Sequence, residues 1–62
     1  MNREDIMEVF IELSKSQGLY SRLVNQLLDL RDNDPMAYND YMTELESHNF
    51  KDVVDLILYI ES

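Results

Sequence analysis

In 62 residues there is one histidine, His48, no cysteine, and thirteen Asp and Glu against five Lys and Arg. The groups able to do chemistry are therefore mostly carboxylates. Glu44 and His48 stand one helical turn apart and could clip a divalent cation, but two ligands do not close a site and no second histidine completes it. Asp32-Asn33-Asp34 imitates the first ligands of an EF-hand loop. Counted on from Asp32, however, the sixth position is Ala37 and the twelfth Thr43, where such a loop needs Gly and Glu. The available nucleophiles are Ser14, Ser16, Ser21, Thr43, Ser47 and Ser62 with Lys15 and Lys51, and none sits in a strained elbow or beside a base with its own orienting partner. Carboxylate pairs do acid–base work only when one member is desolvated. Every close acidic pair here falls on a helix face or turn that the apolar spacing leaves in water. The chemistry reading is therefore no catalytic residue, no metal and no cofactor.

The elements that carry these residues read as helices. From Asn2 to Gln17, Ile6, Val9, Phe10 and Leu13 form an inner stripe while Glu4, Glu8 and Glu12 fall on a solvated one. Asn2 can cap this helix, and Glu4 and Asp5 in its first turn complement the helix dipole. Gly18 is the one glycine available for a left-handed helix end, with Leu19 folding back on Leu13. A single long, kinked helix through Gly18 is the alternative, because the apolar stripe keeps its phase across it. A second helix, about Leu19 to Asp32, spaces Tyr20, Leu23, Val24, Leu27 and Leu28 on one side. Asp34-Pro35 ends it and starts a third, with Tyr38, Tyr41, Met42 and Leu45 inward, closing near Ser47 or His48. Asn49 then caps a last helix, Phe50 to Ile60, with Asp52 in the capping-box position. Val53, Val54, Ile57 and Ile60 would also tolerate a strand. The expectation is one all-α domain over residues 1–62, a small bundle of three to four short helices.

Composition bounds the partners. A formal charge of −8 repels nucleic acid and anionic membrane surfaces and favours basic partners. No apolar run approaches the roughly 20 residues of a membrane span, and the acidic N-terminus lacks a signal-peptide pattern, so a cytoplasmic protein is expected. A DNA reading is the alternative: Leu13, Gly18, Leu19, Val24 and Leu27 fall where a helix-turn-helix places its inward residues and turn glycine, and Arg22, Asn25 and Gln26 would project from the recognition helix. Against it, phosphate contacts supply most DNA affinity, and Arg3, Lys15, Arg22, Arg31 and Lys51 are the only Lys and Arg. The acidic surface admits three readings: a solubilising one, a docking face for a basic protein on the stripe Glu4, Glu8 and Glu12, or mimicry of a phosphate backbone in which Asp29, Asp32, Asp34, Asp40 and Glu44 join that stripe before a DNA-binding protein.

The chain has more apolar surface than four short helices can hide. Met7, Ile11, Leu30, Met36, Leu58 and Tyr59 lie off the inner stripes, and the last helix is apolar nearly all round. Burying each such side chain is worth about 1.5–3 kcal/mol, so a few of them rival the whole stability of a thin core. Self-association, most simply a homodimer, is the expected outcome, with Phe50, Val54, Ile57, Leu58 and Ile60 as its surface. The same surplus would suit a foreign helix.

With Ser16-Gln17-Gly18-Leu19-Tyr20-Ser21-Arg22-Leu23 and Asn49-Phe50-Lys51-Asp52-Val53-Val54-Asp55-Leu56, the chain resembles short proteins encoded by phages and prophages of Gram-positive bacteria, over most of its length. The resemblance carries over no functional residue. It implies a setting in which compact proteins act by binding host or phage proteins, and the expected function is a non-catalytic protein-binding module.

Overall fold

A computed structural model describes all residues from 1 to 62 and contains four helices in the order α1 (Arg3–Ser14), α2 (Gly18–Asn33), α3 (Pro35–Ser47) and α4 (Val53–Glu61). Three of them start at a side-chain cap. The Asp5 N–H donates to Asn2 Oδ1 at 2.9 Å, the Ala37 N–H to Asp34 Oδ1 at 3.3 Å, and the Asp55 N–H to Asp52 Oδ1 at 3.1 Å. Each bond satisfies a donor that the first turn of a helix otherwise leaves orphaned. Asp34 also closes α2, its N–H reaching Leu30 O at 2.7 Å, so one residue ends a helix and caps the next, with Pro35 in the first helical position. No helix is long and apolar enough to cross a membrane.

Two turns differ from the sequence expectation. α1 ends earlier, at Ser14, and Gln17 is extended (φ −134°, ψ 119°), which interrupts any continuous kinked helix. Gly18 is not a left-handed cap: it is the first residue of α2 and its φ is not positive. The Ser16 and Gln17 N–H groups both donate to Leu13 O, at 3.1 and 2.9 Å, so the turn is closed before glycine is reached. Leu19 points to solvent, 68 % exposed, and does not fold back on Leu13.

Asn49 ends α3 instead of opening α4. It is the one non-glycine residue with positive φ (53°), and its N–H donates to Glu46 O at 3.2 Å. Asparagine tolerates this left-handed conformation better than most residues. The reversal it produces sends Phe50 inward, and α4 begins only at Val53, capped by Asp52. Residues Val53, Val54, Ile57 and Ile60, which a strand would also have suited, are all helical.

The core consists of Ile6, Met7 and Phe10 from α1, Tyr20, Val24 and Leu27 from α2, Met42 and Leu45 from α3, then Phe50 and Leu56. Met7, off the expected stripe, belongs to it. Phe10 and Tyr20 join α1 to α2 with ring centroids 6.3 Å apart. α1, α2 and α3 approach one another closely, whereas α4 has no comparable backbone approach to any of them. Side chains hold it: Leu56 is fully buried, Ile60 packs on the core, and the Tyr20 hydroxyl donates to Glu61 Oε1 at 3.3 Å.

Candidate functional site

The N-terminal end of α1 is fastened to α3 through Arg3. Its backbone N–H donates to Glu46 Oε2 at 2.8 Å, its Nη2 to Glu46 Oε1 at 2.9 Å, and its Nη1 to Asn39 Oδ1 at 2.8 Å. Hydrogen bonding to Glu46 raises the guanidinium pKa, and the same side-chain bond, reinforced by the Arg3 N–H, holds the carboxyl below the ordinary glutamate range. A carboxylate on the first N–H groups of a helix also sits where the helix dipole favours negative charge. Nearby, the Met1 ammonium donates to Phe50 O at 3.2 Å, so the start of α1 touches the α3–α4 connection. Spacing could not reveal these bonds, because Arg3 and Glu46 lie in different helices 43 positions apart.

Where α3 hands over to α4, aromatic rings gather. The His48 ring stacks on Phe50 with centroids 5.5 Å apart and planes at 18°, and lies 4.4 Å from the Tyr59 ring. Tyr41 is drawn in as well, its phenol pKa raised first by burial and then by the neighbouring Tyr59 and Glu44. His48, considered above as half of a metal clip with Glu44, thus packs on rings. No group of three or more His, Asp or Glu side chains is placed so that it could hold a metal ion. No buried side-chain nitrogen or oxygen lacks a partner, so no interior polar group is left for a small molecule to satisfy.

The expected self-association residues divide. Phe50 is a core residue, only 9 % exposed, and Ile57 and Ile60 are half-buried, so these three are mostly or partly spent on the chain's own fold. Val54 and Leu58 are not: one turn apart on α4, they are 61 % and 62 % exposed, with Val53 and Tyr59 exposed beside them. Of the other apolar residues expected to be unburied, Ile11 and Met36 are exposed and Leu30 is half-buried.

Glu4, Glu8 and Glu12 are exposed, as the α1 periodicity requires. Between their side of α1 and the start of α4 runs a surface groove of about 440 Å³, with Met1, Val9, Leu13 and Val53 as its apolar lining and Asp5, Glu8 and Glu12 as its charged one. A smaller groove of about 240 Å³, lined by Leu19, Leu23 and Ile60 with Tyr20, Arg22 and Gln26, lies between α2 and the end of α4. Arg22, Asn25 and Gln26 are all exposed on α2.

These surfaces define the class: a small all-α protein of four helices, 81 % helical, whose distinctive features lie on its outside. Compared with family models, curated proteins and solved structures, the chain matches none.

Proposed function

We propose that the protein acts by binding polypeptides, without catalysis, and that α4 carries a self-association surface. One observation carries this reading: Val54 and Leu58 present contiguous apolar surface on a helix whose opposite side, through Leu56, is already committed to the core. Solvent contact of such side chains is unfavourable by about 25 cal/mol per Å², and a two-fold dimer hides each of them twice. The resemblance to phage proteins adds a setting, the cytoplasm of a bacterial host, with host or phage proteins as partners.

Sedimentation across a concentration series tests the reading. Association should appear in the micromolar range and be abolished by Leu58→Glu, which places a carboxylate in the apolar contact at an exposed position. Because both copies carry net −8, added salt should strengthen it. A wild-type chain that stays monomeric at high micromolar concentration overturns the proposal.

The exposure of Arg22, Asn25 and Gln26 together on α2 supports a second reading, a small DNA-binding regulator. Gly18, needed as a turn glycine there, instead begins the helix. Absence of retention on random duplex at low salt, where phosphate attraction is greatest, ends that reading.

A further inference from the structure

The groove between α1 and the start of α4 differs in chemistry from the exposed face of α4. Val9 and Leu13, at i and i+4 on α1, make an aliphatic ridge that Val53 continues from α4. Asp5, Glu8 and Glu12, at i, i+3 and i+7, run beside that ridge as a row of carboxylates. No lysine, arginine or histidine lines the groove. Asp5 and Glu8 have no ion-pair partner, and Glu12 has only an exposed contact with Lys15 at 3.3 Å, of a kind that contributes little. The terminal ammonium of Met1 is engaged by Phe50 O. An occupant must therefore supply both apolar side chains and positive charge.

We propose that this groove binds a segment of another protein that forms a basic amphipathic helix. Aliphatic residues at i and i+4 of that helix sit on Val9, Leu13 and Val53, and lysines or arginines beside them meet Asp5, Glu8 and Glu12. Apolar contact and charge attraction both contribute to the affinity, and charge complementarity also raises the association rate and selects the partner. A second copy of this chain is a poor occupant. Its five Lys and Arg are dispersed, with Arg3 and Lys15 on or beside α1, Arg22 and Arg31 on α2, and Lys51 before α4, so none of its helices places two cations within two turns. The groove and the Val54–Leu58 face would thus serve different partners.

The test uses a fluorescein-labelled peptide of about 14 residues, long enough to fold on a surface, built from the repeat Leu-Lys-Lys-Leu-Leu-Lys-Leu and titrated with the full chain in low salt. The wild type should bind it. The double variant Glu8→Lys/Glu12→Lys should weaken binding at least about tenfold, and Asp32→Lys/Asp40→Lys, an equal charge change at exposed positions outside the groove, by less than about threefold. Val53→Ser should also weaken it, and melting curves establish that each variant is folded. Rising salt should loosen the peptide while tightening self-association through α4, so failure of one proposal is distinguishable from failure of the other. No binding by the wild type, equal losses in the two charge-reversal pairs, or no loss from Glu8→Lys/Glu12→Lys overturns the proposal. So does a loss on Leu58→Glu as large as that of the groove variant, because it would put the peptide on the α4 face.

Discussion

Arg3 and Glu46, 43 positions apart, are joined by three hydrogen bonds: the Arg3 N–H to Oε2 at 2.8 Å, and Nε and Nη2 to Oε1 at 3.3 and 2.9 Å. Nη2 also reaches Thr43 Oγ1 at 3.2 Å and Nη1 reaches Asn39 Oδ1 at 2.8 Å, so from the first residue of α1 one arginine spans about two turns of α3. A network in which one side chain is already ordered loses less freedom for each further bond than an isolated surface pair does.

Acid should dismantle this clasp. Because the Glu46 pKa is lower in the folded chain than the ordinary 4.5, its stabilisation is complete above that value and is lost as pH falls through the lowered one. The melting temperature of the wild type should drop over this window more steeply than that of Glu46→Gln, with the two curves converging in acid. Parallel curves from neutral pH to about pH 2 would show that the clasp contributes no acid-sensitive stability.

Alkali should act through two tyrosines. Burial raises the Tyr20 phenol, helped by the Glu61 carboxylate that accepts its proton in a hydrogen bond, and burial likewise raises Tyr41. For groups raised in the folded state, stability is full below the unfolded value near 10 and declines as pH rises through the folded ones. Tyr20→Phe should cost about 0.5–1.5 kcal/mol at neutral pH through the lost bond, and should flatten the alkaline decline. Denaturant titrations at neutral and alkaline pH measure both effects.

Leu56 and Leu58 are two positions apart on α4 and should respond in opposite ways. Leu56 is fully buried, so Leu56→Ala should cost about 2–5 kcal/mol, enough to unfold much of a small domain. Leu58→Ala should leave the monomer within about 0.5 kcal/mol of wild type and reduce association instead. Urea unfolding at low concentration and sedimentation at high concentration separate these outcomes.

Two turn substitutions test the backbone assignments. A Cβ added at Gly18 meets nothing within 4 Å, and the residue is helical, so Gly18→Ala should stabilise by about 0.4–1 kcal/mol. In a left-handed turn the same change would destabilise. Asn49 does occupy that conformation, and Asn49→Ala should cost about 1 kcal/mol whereas Asn49→Gly should be tolerated. Thermal melts of the three variants give the comparison.

Much of the fold was legible from residue spacing alone. The three-four recurrence of Tyr20, Val24 and Leu27 marks α2, and Asp34-Pro35 marks the boundary with α3, because caps and proline act on their immediate neighbours. The solvated placement of Glu4, Glu8 and Glu12 follows from the same periodicity. Gly18 and Asn49 were less legible, since glycine and asparagine each suit several turn positions and distant packing selects among them.

Periodicity could say that α4 is apolar on nearly every side, but not which side the other helices cover. Phe50 and Leu56 were taken by the core, while Val54 and Leu58 were left outside. Nor could it announce that Arg3 would meet Glu46, or that Val53 would arrive beside Val9 and Leu13 to complete a groove. Local propensity is written in neighbouring residues and survives reading one segment at a time. Burial and long-range pairing depend on how four helices share a limited contact area, and that is settled only when all of them are packed together.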